Sequence, residues 1–377
     1  MTSTRASRIR FDTAKERDDA DIRRLLRESP VPGQVTLTLE REPDYFADAD
    51  LPGEEKQTIL AREGGHVICV GNCTVRERFI NGQARRVGYL GGLRLDAGVA
   101  GRFDILRRGY DFFRELQAGA PADFYFTSIT SDNVRARNFL ERGLPGMPAY
   151  EFIGEFVTLL LPVERRSPTR RVSETRMNPA GSETGASIAD ELLALTNEDN
   201  RRLQFAPCWS ADEFTALQPL GLLADSFHFI RDDGCIAAGA ALWDQRTFKQ
   251  TVIRSYAPWL ARLRPALNLA ARITSQPRLP AVGTTLAHAF VFHLAVAPDD
   301  TNALHALIAA LREIAAARNI EFLTLGFAVN GPQVASLRRK YRCREYHSRI
   351  YVVRWPGLGG SSRELDGRCL GPEAALL

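Results

Sequence analysis

The stretch Val87-Gly-Tyr-Leu-Gly-Gly-Leu-Arg-Leu-Asp96 runs directly into Ala97-Gly-Val-Ala-Gly-Arg-Phe103 and then into a segment with helical periodicity. An apolar strand therefore leads into a glycine-containing turn, and the turn opens an amphipathic helix. In this order the unpaired amides and the positive end of the helix dipole point beyond the strand, which suits a phosphate or a diphosphate. The sequence thus predicts an anion site where this strand ends.

The segments on either side of this stretch alternate between strand and helix patterns. Strands are predicted in the runs Ile9–Ala14, Gln34–Glu40, His66–Ile80, Arg85–Leu95, Phe124–Ile129 and Phe152–Leu161. Asp18 and Asp19 are good N-caps for a first helix, and Asn81-Gly82 is a strong hairpin turn. A helix follows the opening stretch and another spans Asn133–Arg142. The first half is therefore predicted to be a mixed α+β domain that ends near Pro162.

The second half repeats this order. Asp123-Phe-Tyr-Phe126 corresponds to Glu321-Phe-Leu-Thr324, an offset of 321 − 123 = 198 residues. In both halves a helix and a final strand follow, and the strand ends at a proline, Pro162 or Pro356. We interpret this as a tandem duplication of one fold.

The predicted domain boundaries follow from this repeat. Residues 1–164 form the first domain and residues 188–356 the second, with a linker at 165–187 and a loose tail at 357–377. The predicted linker contains five arginines. This composition favours a solvated connector, and a binding site for a polyanion is the alternative. Those arginines are Arg165, Arg166, Arg170, Arg171 and Arg176.

Composition limits the class of protein. A chain of 377 residues suits two domains, and 45% apolar with 25% charged residues is ordinary for a globular protein. The net charge of +4 is too small to indicate nucleic-acid binding, although it suits an anionic cofactor. The six scattered cysteines show no metal-binding spacing, so no metal site is predicted and reduced thiols in the cytoplasm are the default. No secretory signal or membrane span is visible.

The opening strand, turn and helix, with the segment after them, resemble the central motif of the GNAT superfamily of acyl-CoA N-acyltransferases. The resemblance implies two tandem GNAT-like domains, each a mixed, mostly antiparallel twisted sheet flanked by helices. It also implies that the strand splays from its neighbour and binds the pantetheine arm of acetyl-CoA or another acyl-CoA through main-chain groups. Leu93, Arg94 and Leu95 hold the matching positions.

The family's diphosphate loop, Arg/Gln-x-x-Gly-x-Gly/Ala, falls on Ala100–Ile105. Phe103 and Ile105 stand at the two later glycine positions, where a Cβ hinders the approach of a phosphate. A shortened loop that uses Gly101 and Arg102, or Gly98 and Gly101, is one interpretation, and a simple strand-to-helix turn is the other. The resemblance implies Gly101, Arg102 and Phe103 as cofactor-binding residues.

Asn133–Leu144 resembles the family's next helix, in which an asparagine contacts the cofactor and a tyrosine lies near the thioester sulfur. Asn133 and Ala136 match this pattern, whereas Leu140 stands at the tyrosine position. Tyr150 is the nearby candidate for the general acid, with a half-buried structural tyrosine as the alternative.

The second half has no glycine in its corresponding loop, Thr301-Asn-Ala-Leu304, and is expected to keep the fold without the cofactor loop. Its strand at His288–Ala297 places His288 and His293 on opposite faces by their odd spacing. Each is either a general base facing the groove or a hydrogen-bonded structural histidine.

Two functions follow as hypotheses. The first is an acyl-CoA-dependent N-acyltransferase that uses its first domain to hold the co-substrate and acts on a small-molecule or peptide amine, with no nucleic acid or membrane as partner. The second is a non-catalytic GNAT-like protein that binds an acyl carrier, a small metabolite or a protein. The bulky residues in the loop and the missing tyrosine favour the second, and the main-chain chemistry of the strand favours the first.

Overall fold

The structure is a computed structural model that describes residues 9–99, 101–164, 178–179, 185–273, 278–297 and 300–377. The strands, numbered β1 to β14 along the chain, are Arg10–Thr13, Val35–Glu40, Glu55–Glu63, His66–Ile80, Gln83–Leu95, Phe124–Thr130, Ala149–Pro162, Asn178–Pro179, Phe227–Asp232, Cys235–Trp243, Gln250–Tyr256, His288–Val296, Phe322–Ala328 and Arg344–Arg354. The helices, numbered α1 to α8, are Asp19–Glu28, Phe103–Gln117, Val134–Leu140, Gly185–Asn200, Ala211–Ala216, Pro258–Ile273, Thr301–Ala317 and Pro332–Lys340.

One mixed, mostly antiparallel sheet runs through both halves of the chain. Its twelve strands lie in the order β1-β3-β4-β5-β6-β14-β7-β13-β12-β10-β9-β8, and β2 pairs with β11 in a separate two-stranded ribbon. The fold class predicted from the sequence, α+β with a mostly antiparallel sheet in tandem halves, is confirmed.

The two halves exchange their last strands. β14 of the second half pairs with both β6 and β7 of the first half, and β7 in turn pairs with β13. Ile350 and Val352 of β14 and Leu159 and Leu161 of β7 are fully buried by this arrangement. The predicted boundaries at 164 and 188 stay a prediction, because the sheet continues across them.

Helices cover both faces of the sheet. On the first face, here called the α1 face, Ile22 and Leu25 of α1 pack on Leu60 and Val70. On the opposite face, the α2 face, Ile105 of α2 packs on Ile68 in the first half. In the second half Leu307 of α7 and Leu337 of α8 pack on Leu323 of β13. Apolar residues spaced three and four apart thus bury one stripe of each helix.

Most local expectations hold, with two exceptions. The hairpin at Asn81-Gly82 is confirmed, and both residues have the positive φ that its turn requires, 53° and 77°. The sequence does not predict β3 or β11. In the structure β3 pairs with β4, and β11 pairs with β2. The predicted linker lies outside the described residues, apart from 178–179 and 185–187, and so do its five arginines.

Residues 357–377 are not the loose tail that the sequence predicts. Asn81 Nδ2 donates to the carbonyl of Glu364 at 2.8 Å, and Gln204 Nε2 donates to Asp366 Oδ1 at 2.8 Å. Leu370 and Ala375 are only 8% and 2% exposed. The Gly/Ser-rich start of this segment hides the apolar residues further on, which anchor it on the α1 face.

Candidate functional site

The strands β5 and β6 separate and form a fork. They pair in parallel only where Val87–Tyr89 lies beside Phe124–Phe126. Beyond that point β5 continues to Leu95 and β6 to Thr130. Thr127 Oγ1 donates to the carbonyl of Leu90 at 2.7 Å and closes the apex of this first-half fork. A splayed strand pair therefore lies where the sequence predicts one.

A β-bulge turns β5 away from β6. The register between β4 and β5 shifts between Val70 and Asn72, and Gly92 has a φ of 62°. This positive φ favours glycine, and a Cβ at Gly92 would also lie 2.6 Å from Asn72 Nδ2, which would have to move. Because a bulge bends its strand, this residue is a local cause of the fork.

The three predicted backbone-binding residues line the edge of this fork. Arg94 and Leu95 lie opposite Val70 and Cys69 of β4, and the Asp96 amide donates to the carbonyl of Ile68 at 2.9 Å. Because successive peptide groups alternate in direction, the peptide group of Leu95 faces the fork. Leu93 is 36% exposed there. The structure thus places Leu93, Arg94 and Leu95 on the β5 side of the fork, and their role in binding a co-substrate stays a prediction.

Several backbone amides of the turn before α2 already donate hydrogen bonds within the turn. The Gly98 amide donates to Asp96 Oδ1 at 2.8 Å, and the Arg102 amide to the carbonyl of Val99 at 3.1 Å. The Phe103 amide donates to the carbonyl of Gly101, also at 3.1 Å. A diphosphate would have to displace these contacts or bind beside them.

Acidic side chains surround Arg102 at the start of α2. Its guanidinium donates to Asp104 at 2.9 Å and to Glu63 at 3.2 Å, in exposed ion pairs. Asp104 lies in the first turn of α2, where a carboxylate interacts favourably with the helix dipole. The assignment of Gly101, Arg102 and Phe103 to a phosphate therefore stays a prediction.

Phe103 does not fill the fork. Its ring is 54% exposed and stacks on Phe139 of α3, with 4.6 Å between ring centroids. The stack connects the start of α2 to α3. Asn133 caps α3, because its Oδ1 accepts a hydrogen bond from the Ala136 amide at 3.2 Å. Asn133 and Ala136 are thus brought together, and the contact shown for the asparagine is a capping one.

Tyr150 lies away from the fork. Its hydroxyl shares a hydrogen bond with Tyr110 of α2, on the α2 face, and its ring meets Tyr351 edge-on. Burial and the neighbouring phenol hold the pKa of Tyr150 well above its ordinary value of 10. The structure gives it the half-buried structural role that the sequence left as the alternative, and it does not bring Tyr150 to Leu93–Leu95.

A second fork repeats in the other half. β12 and β13 pair in parallel only where His288–Phe290 lies beside Phe322–Thr324, and they continue to Val296 and Ala328. The bulge is repeated as well, because His293 has a φ of 52° where the register of β10 and β12 shifts.

The C-terminal segment packs into this second-half fork. The carboxylate of Glu373 accepts a hydrogen bond from the backbone amide of His293. At Gly326 of β13 an added Cβ would lie 2.7 Å from Cβ of Ala374. Ser128 is the equivalent of Gly326 at the 198-residue offset and is partly exposed. The two forks therefore differ: the chain itself occupies the second one.

Both histidines of β12 are structural. His288 Nδ1 hydrogen-bonds Thr324 Oγ1 at 2.9 Å, and burial lowers its pKa to about 4. His293 lies in an aromatic cluster, 4.4 Å from the ring centroid of Trp209. Trp209 contacts His293, Phe290 contacts His288, and both aromatic residues pack in the same apolar cluster on one face of the sheet. The prediction that the two histidines lie on opposite faces is therefore wrong. The bulge at His293 breaks the alternation on which that prediction relied.

Ionisable groups with shifted pKa values gather on the α1 face near both forks. Burial raises the pKa of Glu373 to about 7 and lowers that of Lys249 to about 7. Lys249 Nζ donates to the carbonyls of Ala375 and Leu377 at 3.2 and 3.0 Å. Arg78 lies over the ring of Phe126, with 5.1 Å between its Cζ and the centroid, and donates to a backbone carbonyl. Such shifts are typical of functional sites and also of buried structural networks.

Sequence reasoning missed the bulge glycine and these groups. Gly92 looked like one glycine among several, although the pair Gly91-Gly92 inside an apolar strand signals a bulge. Glu373 lies in the C-terminal segment that the sequence predicts to be a loose tail. No local sequence pattern predicts that Lys249 is buried. Among the described residues, no cluster of three or more His, Cys, Asp or Glu side chains is arranged to hold a metal.

Comparison with known proteins supports the fold. No protein-family model matches the chain, and no curated protein matches its sequence. Among solved structures, N-myristoyltransferase from Saccharomyces cerevisiae with bound myristoyl-CoA is similar, with a TM-score of 0.59 at 12% identity over 98% of this chain and 89% of that one.

Two GNAT proteins are similar as well. A GCN5-related N-acetyltransferase from Sphaerobacter thermophilus has a TM-score of 0.55 at 13% identity, over 93% of this chain and 98% of that one. A tandem GNAT protein from the clavulanic acid biosynthesis pathway has a TM-score of 0.52 at 12% identity, over 94% and 100%. Together with the two forks and their bulges, these similarities show that the chain has the GNAT superfamily fold in two tandem copies.

Proposed function

We propose that the protein is an acyl-CoA-dependent N-acyltransferase that holds its co-substrate, acetyl-CoA or another acyl-CoA, in the first-half fork. The observation that carries this proposal is the difference between the forks. In the first, the strand edge at Leu93–Leu95 is partly exposed, whereas in the second the Ala374–Leu376 turn packs on both strands of the fork. N-myristoyltransferase of the same fold binds myristoyl-CoA, which supports an acyl-CoA here.

In this proposal the main chain supplies most of the chemistry. The edge of β5 that faces away from β4 binds the pantetheine arm as an added strand would, in place of the hydrogen bond that Arg94 Nη1 donates to the carbonyl of Leu93 at 2.9 Å. The amide of Leu93 or Leu95 stabilises the oxyanion. An amide donor held in place by a rigid strand costs no reorganisation when the charge develops. The acceptor, a small-molecule or peptide amine, enters from the α1 face, beneath α1 and the β2–β11 ribbon.

Glu373 is our candidate for the proton acceptor. Its carboxyl accepts the backbone amide of His293 in the second-half fork, and the same C-terminal segment packs through Leu370 with Tyr89 and Phe126 of the first half. Burial raises its pKa to about 7, which suits a base that works near neutral pH. Tyr150 is not part of this proposal, because its hydroxyl is engaged with Tyr110 on the other face.

A binding protein without catalysis is the second candidate. The turn before α2 favours it, because the Asp96 carboxylate and the turn's own carbonyls already take up amides that a diphosphate needs. Arg102 is likewise held by Asp104 and Glu63. An acyl carrier, a small metabolite or a protein would be the ligand in that case, and a cytoplasmic location stays a prediction for both candidates.

Thermal unfolding in the presence of acetyl-CoA, longer acyl-CoAs and free CoA tests the proposal. A ligand that binds the folded state raises the melting temperature with its concentration. We expect a shift with at least one of them, its loss in Ser128→Trp, which fills the first-half fork, and no loss in Leu223→Ser, an exposed site elsewhere.

The variant Arg102→Glu separates two places for the diphosphate. If the turn before α2 holds it, this charge reversal removes the shift, whereas an unchanged shift moves the diphosphate away from the turn. Binding of acyl-CoA without transfer to any amine would favour the second candidate, and no shift with any of the ligands contradicts the first.

A further inference from the structure

The helix α6, Pro258–Ile273, presents an apolar face to solvent. Trp259, Leu263, Leu267 and Leu269 are 52%, 50%, 44% and 61% exposed. Trp259, Leu263 and Leu267 are spaced four residues apart and therefore lie along one side of the helix. The packed side of the helix adjoins this row, since Leu260 and Ala271 are 8% and 9% exposed.

A further exposed apolar residue lies beyond the helix. Val282, in the loop that follows, is 57% exposed. Single exposed apolar residues are common on protein surfaces, but several on one short segment mark a binding surface. Packing among the described residues does not explain a helix with this many apolar groups on its outer side.

The segment of sequence that contains α6 carries charge of one sign. Residues 245–298 contain no Asp or Glu, and they contain seven Lys or Arg. Some of these are used within the protein, since Arg246 pairs with Asp244 and Arg254 with Glu40. Arg262 and Arg278 are exposed, and no carboxylate of the described part of the chain forms an ion pair with either.

These observations distinguish among the occupants of such a face. A second copy of the same face would bring Arg262 and Arg278 against their own equivalents, and like charges oppose that contact. An apolar, tryptophan-bearing side with arginines at its margin is the pattern of a helix that lies in the interface of a bilayer. None of the helices among the described residues has the length and apolarity to cross a bilayer, so the contact would be superficial.

We propose that α6 docks the protein on an anionic lipid surface, with Trp259, Leu263 and Leu267 in the interface and Arg262 and Arg278 against the headgroups. The apolar groups supply the burial, and the arginines supply the preference for anionic lipid. We separate this docking from the acyl-CoA site because α6 contacts β11, a strand of the β2–β11 ribbon that belongs to neither fork.

Co-sedimentation of the full chain with vesicles tests the proposal. We expect partition onto vesicles of phosphatidylglycerol and phosphatidylcholine in equal parts, little onto phosphatidylcholine alone, and weakening at high salt. Leu263→Ser should lower the partition coefficient about tenfold, and Arg262→Glu should lower it severalfold. The matched control is Leu223→Ser, which changes a leucine of similar exposure, 52%, away from α6.

Tryptophan fluorescence gives a second readout. Trp209, Trp243 and Trp355 are at most 5% exposed, so a blue shift on addition of vesicles reports on Trp259. Partition without a blue shift, partition that Leu263→Ser leaves unchanged, or equal partition onto neutral vesicles would overturn the proposal. The absence of any partition would overturn it too, and would leave an acidic protein as the partner to examine. Acetyl-CoA thermal shifts should be the same in Leu263→Ser as in the wild type, which separates this outcome from the acyltransferase proposal.

Discussion

At the scale of single residues, backbone geometry and burial matter more than side-chain identity. Gly92 permits the bulge that separates β5 from β6, and Leu95 offers a peptide group to the fork whatever its side chain. The ionisable group that stands out is Glu373, whose carboxyl is buried among backbone amides. Its protonation state therefore affects both stability and the proposed chemistry.

Glu373 should make stability depend on pH. Its folded-state pKa of about 7 lies above the ordinary 4.5, so its contribution to stability is fully present below pH 4.5 and is lost as the pH rises through 7. The loss amounts to about 3 kcal/mol, since one pKa unit corresponds to about 1.4 kcal/mol. Glu373→Gln does not titrate and should lack this decline, as measured by urea unfolding at pH 5 and pH 8.

The control for this variant is Glu198→Gln, which changes an exposed glutamate of α4. It should follow the wild type at both pH values. If Glu373→Gln also follows the wild type, the carboxyl does not titrate near 7. Loss of transfer activity in Glu373→Gln without loss of stability would support its role as the proton acceptor.

At the scale of elements, the sequence predicts what local patterns encode. The apolar run His66–Ile80 and the Asn81-Gly82 turn gave β4 and its hairpin at the right residues. The bulge at His293 has no local signal, because a histidine rarely adopts a positive φ. Tyr150 was placed in the site by its nearness in the sequence, whereas its register on β7, opposite Val353, puts it under α2.

The sequence does not predict the exchange of β7 and β14 either. Each half contains a final strand of suitable length in the expected order, so pairing within one half is equally compatible with the pattern. Pairing partners so far apart in the chain leave no periodic signal. The buried Ile350 and Val352 of β14 complete the first-half core beside Phe126, so neither half has its full core alone.

The exchange predicts that residues 1–164 do not fold in isolation. Without β14, both β6 and β7 lose a neighbour and expose unpaired edges. Circular dichroism of this fragment should show no cooperative thermal transition, and co-expression with residues 178–377 should restore one. A cooperative transition in the isolated fragment would show that the predicted boundary at 164 is an independent domain boundary.

At the scale of the whole molecule, the two copies of one fold have diverged in what occupies their forks. The second-half fork holds Ala374 and Glu373, and helix α7 behind it is capped by Asp300, whose Oδ1 accepts from the Ala303 amide at 2.8 Å. The first-half fork keeps an exposed strand edge. One half is thus suited to a ligand, and the other anchors the C-terminal segment on the face that we assign to the acceptor.

The measurement that tests this difference most directly is calorimetric titration of the full chain with coenzyme A, the part common to every acyl-CoA. The account predicts one molecule bound per chain, with binding abolished in Ser128→Trp, whose new side chain fills the first-half fork. Two molecules per chain, no binding at all, or unchanged binding in Ser128→Trp would contradict it.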